Sequence, residues 1–197
     1  MDTAILARHG ESRYSVRGLL NGDPGVAVGL TDAGVEQARA LDAVLADESI
    51  DLCVTSSMER ARATADAALG DRPVPRLVLP ELNDPVYGVF EGRPLDEYRT
   101  WASAAPSTEA APGGGESRYA IARRYAGAFR AIAALPDRTV LVVSHSLPVA
   151  YALLLRDGGQ PVARVPLADY ATPYRFTADE LEAVVEALDA WLAAPDW

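Results

Sequence analysis

The sequence predicts an α/β fold, in which residues 1–197 form a single three-layer domain with helices on both faces of a mostly parallel central sheet. Two observations lead to this prediction. Short apolar runs typical of buried strands alternate along the chain with amphipathic segments of helical period. The 197 residues are 49% hydrophobic and 23% charged, which suits one well-buried core, and no change in composition divides them.

In the first half of the chain, strand and helix patterns follow each other in a regular order. The apolar run Thr3–Arg8 is predicted to be a buried strand, and an irregular segment rich in Gly, Pro, Asn and Asp comes next. Thr31 is predicted to cap a helix that continues to about Asp47, because apolar residues recur there at helical spacing. The following elements are a strand at 50–55, a helix at 57–69 and an edge strand at 74–79.

The second half contains a strand that leads directly into Ser144-His145-Ser146. Before it, the Pro- and Gly-rich stretch 102–115 is interpreted as a mobile surface linker, since no strand runs into its three consecutive glycines. Beyond Gly158 the pattern is irregular until Thr177, which with Glu180 predicts the capping box of a last helix. The remaining predicted elements are a helix at 117–135, the strand at 138–143 and a helix at 148–155.

Charge and composition exclude several classes of partner. The formal net charge is −10, so the surface repels polyanions and nucleic acid is not an expected partner. No apolar run approaches the roughly 20 residues that cross a bilayer, so no membrane association is expected, and Asp2 stands where a secretory signal would be basic. The one cysteine, Cys53, excludes an internal disulfide and fits a reducing compartment, so a cytoplasmic protein is expected.

The candidate chemistry centres on the two histidines of the chain, His9 and His145. Each follows a predicted strand directly, at the sheet edge where open α/β sheets bind ligands. The alternative is two unrelated histidines, in the core or on the surface. Arg8 and Arg60 carry guanidinium groups suited to a phosphate dianion, whereas Arg62 points away from Arg60 on the same helix. Each arginine alone could equally be a solvated surface charge.

Five motifs in order along the chain resemble the histidine phosphatase superfamily, in its phosphoglycerate mutase-like branch. The first is Arg8-His9-Gly10-Glu11-Ser12, and the resemblance extends from residue 3 to about residue 155. The other four motifs are Leu30-Thr31-Asp32-Ala33-Gly34 with Gln37-Ala38, Ser57-Met58-Glu59-Arg60-Ala61 with Thr64-Ala65, Leu82-Asn83-Asp84 with Tyr87-Gly88 and Glu91-Gly92, and Val142-Val143-Ser144-His145.

The resemblance implies a role for each matching residue. His9 would be the nucleophile that becomes phosphorylated, while Arg8, Arg60 and His145 would hold the phosphoryl oxygens. Ser15 stands where the family often has asparagine and would contact phosphate more weakly. An imidazole nitrogen is a competent nucleophile toward phosphorus, and two arginines can supply the positive field that a metal provides elsewhere. No metal and no other cofactor is expected.

The proton donor is the main departure from the family pattern. The resemblance places Asp84 at the position of the general acid, where this branch usually has the longer glutamate. Asp84 could instead be a turn residue before Pro85, with Glu81 or Glu91 transferring the proton, since geometry rather than residue type decides such roles.

The predicted function is a phosphomonoesterase that hydrolyses a small phosphorylated metabolite through a phosphohistidine on His9. A cofactor-dependent phosphoglycerate mutase is the first alternative, since it shares the first half-reaction, although residues 102–115 offer little to hold a second phosphate. A catalytically weak relative that binds a phosphorylated ligand is the second. Specificity is expected to reside in the loops 13–29 and 93–116, and a homodimer is possible.

Overall fold

A computed structural model describes residues 1–195 of the chain. Its central feature is a five-stranded sheet with the strand order β3-β2-β4-β1-β5. The strands are β1 (Thr3–Arg8), β2 (Leu52–Thr55), β3 (Arg76–Val78), β4 (Thr139–Ser144) and β5 (Pro173–Thr177). All neighbours are parallel except β5, which runs antiparallel to β1 at the sheet edge.

Helices cover both faces of the sheet, so the fold class predicted from the sequence is confirmed. The helices on the sheet are α1 (Asp32–Val44), α2 (Glu59–Leu69), α4 (Arg118–Ala133), α5 (Ser146–Arg156) and α6 (Ala178–Ala193), and α3 (Leu95–Ala104) lies away from it. Alternate residues of the buried strands face opposite layers, because side chains in a strand point to opposite faces. In β1, Leu6 joins the core beneath α4, α5 and α6, whereas Ile5 joins the core beneath α1 and α2.

Local signals placed most elements within a few residues of their true bounds. The Thr31 side chain accepts a hydrogen bond from the backbone N–H of Gly34, and Thr177 forms the predicted capping box with Glu180. The predicted edge strand is confirmed as β3, and Cys53 is fully buried in the core. Among the described residues, no helix is long and apolar enough to cross a membrane.

The stretch 102–115, predicted as a mobile surface linker, lies largely at the surface but is not irregular throughout. Its first residues end the unpredicted helix α3. Most of the remaining side chains are exposed, whereas Ser107 and Ala111 are each only 2% exposed. Two glycines allow a close backbone approach here: a Cβ added to Gly88 would lie 2.1 Å from the carbonyl oxygen of Pro112, and one added to Gly115 would lie 2.9 Å from that of Val86. The backbone N–H of Val89 also donates to the carbonyl of Pro112, over 2.8 Å. The end of the segment therefore lies directly against residues 86–89.

Strand β5 was not predicted from the sequence. Its register places Pro173 opposite Ala7, at the edge of the sheet, where a missing backbone donor is tolerated. Arg175 of this strand pairs with Glu48 on the surface over 2.7 Å. The chain just before β5, at 163–170, reaches the ligand pocket instead.

Candidate active site

The pairing of β1 with β4 brings the two histidines together. Arg8 lies opposite Ser144 in the register, so His9 and His145 leave neighbouring parallel strands at the same sheet edge. Their ring centroids are 5.2 Å apart, and both residues are buried. The backbone N–H of His9 donates to the carbonyl of Ser144 over 2.9 Å, which extends the ladder to the first histidine. The two imidazoles thus meet although most of the chain separates them.

Hydrogen bonds fix the tautomer of His9. Its Nε2 lies 3.1 Å from Nε of Arg60, which can only donate, so Nε2 carries the lone pair. The other ring nitrogen, Nδ1, lies 2.7 Å from the carbonyl oxygen of Gly10 and therefore donates its proton there. Burial, with the nearby charge of Arg60, holds the pKa of His9 well below its ordinary value. The imidazole is therefore neutral, with its free electron pair facing a guanidinium.

Arg60 is held rigidly at the start of α2. The guanidinium donates to the side-chain oxygen of Asn21 over 2.7 Å and to its carbonyl over 2.9 Å. It also forms an ion pair with Asp84 over 2.7 Å, and its side chain is only 4% exposed. Arg62 is exposed, as its helical spacing predicts. Sequence reasoning missed Asn21, because nothing distinguishes one asparagine within an irregular loop.

Arg8 occupies the other side of the histidine pair. Its Nη1 donates to the carbonyl of Ala168 over 2.8 Å, and its guanidinium carbon lies 3.8 Å from the ring centroid of Tyr170. Its Nε is buried without a hydrogen-bond partner in the described part of the chain. Burial lowers the pKa of Arg8 from its usual value. Ala168 and Tyr170 belong to the region after Gly158, where the residues show no regular pattern.

His145 lies between a hydroxyl and a carboxylate. Its Nε2 is 2.8 Å from Oγ of Ser56, at the end of β2, and its Nδ1 is 3.2 Å from Oδ2 of Asp84. Nδ1 and Oδ2 of Asp84 are close enough for an ion pair, but the two groups are not aligned for a hydrogen bond. Burial lowers the pKa of His145, although the Asp84 carboxylate opposes this effect. The ring thus presents Nδ1 toward the acidic residue.

Asp84 lies beside both Arg60 and His145 and is partly buried. Burial by itself would raise the pKa of this carboxyl, but the charges of His145 and Arg60 outweigh it and lower the pKa. Its loop is anchored through Asn83, whose side-chain oxygen accepts from the backbone N–H of Ser57 over 2.9 Å. Asp84 is therefore ionised in the free protein.

The two rival proton donors lie elsewhere. Glu91 accepts backbone hydrogen bonds from Gly22 and Tyr87, each over 2.9 Å, so its carboxylate ties two loops together. Glu81 is exposed and does not line the pocket. Ser15 does line the pocket, but its hydroxyl oxygen accepts from the backbone N–H of Ser12 over 2.8 Å. Its hydroxyl is therefore already engaged in the turn that precedes the pocket.

The charges around this cluster suit an anion. His9, Asp84 and His145 bring potential ligand atoms within 4.8 Å of one another, which is a geometry that a metal ion could use. A cation there would also face the guanidinium groups of Arg8 and Arg60, whereas a phosphate dianion would be attracted by both. The enclosing cavity has a volume of about 140 Å³, close to the roughly 150 Å³ that admits a benzene ring.

The fold and this arrangement define a phosphoryl-transfer enzyme of the two-histidine type. The chain belongs to the histidine phosphatase superfamily (branch 1), whose family model matches residues 4–188. The match therefore extends past the last motif of the sequence analysis and includes the residues that lie against Arg8. The chain is accordingly a metal-independent phosphatase that works through a phosphohistidine, as the sequence predicted.

The relatives similar to this chain include phosphatases and phosphoglycerate mutases. The chain is 34% identical to the adenosylcobalamin/alpha-ribazole phosphatase of Escherichia coli over 168 residues, or 79% of each chain. It is 30% identical to a 2,3-bisphosphoglycerate-dependent phosphoglycerate mutase of a Methylobacterium species, over 94% of this chain and 96% of the relative. The solved alpha-ribazole phosphatase of Shigella flexneri matches with a TM-score of 0.74 and 29% identity, over 88% of this chain and 89% of that one.

The buried histidines make the stability of the protein depend on pH. Burial lowers the pKa of both in the folded state, whereas the unfolded chain binds their protons near the ordinary value of about 6.5. Below that pH the unfolded state binds more protons, so stability falls as the pH decreases through about 6.5. We expect His9→Asn to reduce the proton uptake on unfolding at pH 5.5 by nearly one. Urea unfolding across pH 5.5–7.5 measures this uptake, and an unchanged slope would contradict a neutral, buried His9.

Proposed function

We propose that His9 is the nucleophile of this phosphatase and that Arg8, Arg60 and His145 bind the phosphoryl oxygens of a small phosphorylated metabolite. The orientation of His9 is the observation that carries this proposal. Its Nδ1 proton is tied to the Gly10 carbonyl, so the lone pair on Nε2 faces the guanidinium of Arg60. An anion bound by that guanidinium would place its phosphorus in front of the lone pair.

The first displacement needs one change in hydrogen bonding. Arg60 would release Nε2 of His9 and donate instead to a phosphoryl oxygen, which is the stronger acceptor because it is charged. The bond between Nε2 and phosphorus then forms while the bond from phosphorus to the ester oxygen breaks. In a loose transition state the negative charge remains on the phosphoryl oxygens, where two guanidinium groups stabilise it. His145 would add a third contact from the opposite side.

Asp84 would supply the proton to the leaving alkoxide. It is ionised in the free protein because positive neighbours lower its pKa. A bound dianion cancels those charges and adds negative charge, so the pKa of Asp84 rises and the carboxyl acquires a proton in the complex. After the alcohol departs, the Asp84 carboxylate accepts a proton from water as the water oxygen attacks phosphorus. The bond to Nε2 breaks, and neutral His9 is restored with inorganic phosphate.

Names of relatives suggest the first substrates to examine. Because two groups of relatives are named alpha-ribazole phosphatase and phosphoglycerate mutase, alpha-ribazole phosphate and phosphoglycerates belong in the first panel of esters. We also propose a cytoplasmic location, supported by the single, buried Cys53. A net charge of −10 supports the absence of nucleic acid among its partners, and a homodimer stays a prediction.

A phosphatase screen tests the proposal. The purified chain is incubated with a panel of phosphorylated metabolites in the presence of a chelator, and inorganic phosphate is measured, with His9→Ala as the control. We expect phosphate release that the chelator leaves unaffected and the substitution removes. Transfer of label from 3-phosphoglycerate to its isomer faster than phosphate release would favour the mutase instead. Ligand binding without release of phosphate from any ester would favour the weakly catalytic relative.

A further inference from the structure

A third buried arginine lines the same cavity outside the residues assigned to the phosphoryl group. Arg118, the first residue of α4, is only 6% exposed. Its Nη2 donates to the backbone carbonyl of Ala163 over 3.0 Å, and its Nε is buried without a hydrogen-bond partner in the described part of the chain. Within residues 1–195, no hydrogen bond or ion pair joins Arg118 to the two histidines or to Asp84. One of its donors therefore remains unsatisfied.

The charge of Arg118 also lacks a counter-ion. Of the three buried arginines, Arg60 pairs with Asp84, whereas Arg8 and Arg118 have no carboxylate partner among residues 1–195. A buried charge without a counter-ion lowers the stability of the folded protein. The chain has 28 acidic residues, yet none of those described pairs with Arg118. Arg8 is explained by the phosphoryl group that it would bind. The unpaired charge of Arg118 would be neutralised in the same way if a second anion were bound in this cavity.

Tyr98 adds a second unsatisfied donor beside Arg118. Its ring lies 5.0 Å from the guanidinium carbon of Arg118, and its hydroxyl is buried without a hydrogen-bond partner in the described chain. The ring is held in place by Tyr87, whose centroid is 4.9 Å away. Both Tyr98 and Arg118 line the cavity that contains His9. A phenol and a guanidinium together can bind a carboxylate or a phosphate.

A further arginine lies on the same wall of the cavity. Arg99 is half-buried, follows Tyr98 in α3 and donates to the carbonyl of Val165 over 2.9 Å. Arg99 and Arg118 thus hold neighbouring carbonyls of the segment 163–165, which also lines the cavity. Arg99 and Arg118 are therefore two positive charges outside the phosphoryl site, and neither has an acidic partner in the described chain, although the net charge of the protein is −10.

We propose that Arg118 and Tyr98 form a second anion-binding subsite, which selects phosphate esters that carry another carboxylate or phosphate group. The inference rests on the proposed function, because the subsite would bind the end of the substrate remote from the phosphoryl group, while that phosphoryl group lies at His9. Esters with this second charge gain a charge-assisted hydrogen bond that their neutral counterparts lack. The subsite thus acts on specificity rather than on the displacement itself.

A matched pair of esters tests the subsite. 3-Phosphoglycerate and glycerol 3-phosphate differ at the end remote from phosphorus, where a carboxylate replaces a neutral alcohol. We expect a higher kcat/KM for 3-phosphoglycerate, and we expect Arg118→Gln to reduce the ratio of the two values by about tenfold or more. Arg118→Lys keeps the charge without the planar fork and should reduce the ratio less. Fructose 1,6-bisphosphate against fructose 6-phosphate repeats the comparison for a second phosphate.

Controls separate the subsite from a structural role of Arg118. Arg123→Gln removes an exposed arginine from the same helix and should leave the ratio unchanged. If Arg118→Gln lowers kcat/KM by the same factor for the charged and neutral esters of both pairs, Arg118 only supports the fold and the subsite is refuted. A reduced ratio with either pair supports the subsite and identifies the preferred anion. Failure of the wild-type chain to release phosphate from any ester would instead count against the proposed function.

Discussion

His9→Ala is expected to lower phosphate release by at least about a thousandfold, because it removes the atom that accepts the phosphoryl group. The contacts from the guanidinium groups of Arg8 and Arg60 and from the imidazole of His145 would remain, so the variant should still bind phosphate. Steady-state release from p-nitrophenyl phosphate and from the best metabolite of the panel measures the loss. A variant that retained more than about a tenth of the wild-type rate would exclude His9 as the nucleophile.

Trapping of the intermediate makes this test specific. Rapid quenching of the wild-type chain with a labelled ester should give a protein-bound phosphoryl group that is labile to acid and stable to alkali, as expected for a phosphorus–nitrogen bond. The label should be absent from His9→Ala. Phosphate binding by this variant, measured by calorimetry, shows that the pocket is still folded. His145→Gln is the matched substitution, and it should lower the rate while still allowing label to accumulate on residue 9.

Asp84→Asn is expected to have the second-largest effect, and its size should depend on the leaving group. The amide keeps the shape of the side chain and can still accept from Arg60, but it cannot donate a proton to an alkoxide. We expect kcat/KM for an alkyl phosphate to fall about 10²–10⁴-fold, because a poor leaving group requires the acid. For p-nitrophenyl phosphate, whose leaving group departs as an anion, we expect a loss below about tenfold.

The second half-reaction gives an independent readout of the same residue. Asp84 would also accept the proton of the attacking water, so Asp84→Asn should hydrolyse its phosphoenzyme slowly and show a burst of p-nitrophenol. Glu81→Gln removes the exposed rival and should behave like the wild type in both measurements. Equal losses of kcat/KM for alkyl and aryl esters would show that Asp84 acts by positioning Arg60 rather than by transferring a proton.

The parts of the fold that sequence reasoning predicted are those with local causes. Buried parallel strands such as β4 are continuous runs rich in β-branched residues, and Thr31 and Thr177 cap their helices through their own side chains. The meeting of His9 and His145 followed from strand ends alone, because parallel strands present their carboxyl ends at one edge. The proximity of the motif residues could therefore be predicted from the sequence, whereas their catalytic roles stay a prediction.

The parts that were missed depend on contacts distant in sequence. Helix α3 has its aromatic residues, among them Tyr98, packed against Tyr87 and Phe90 rather than against the sheet, so it shows no ordinary core-facing stripe. Strand β5 is stabilised by pairing with β1, and this pairing cannot be recognised from the residues of β5 alone. Tyr170 and Asn21 reach Arg8 and Arg60 from irregular segments, and only the folded chain brings them there. Their roles follow from tertiary packing.

The hydrogen bonds between Asn21 and Arg60 connect loop 13–29 to the active site. Asn21 accepts two hydrogen bonds from the guanidinium that in turn faces the lone pair of His9. Asn21 therefore restrains the guanidinium that lies beside Nε2 of His9 without contacting His9 itself. Because Asn21 belongs to loop 13–29, a substitution in this loop that removes its two hydrogen bonds would leave the guanidinium of Arg60 less restrained beside the two histidines.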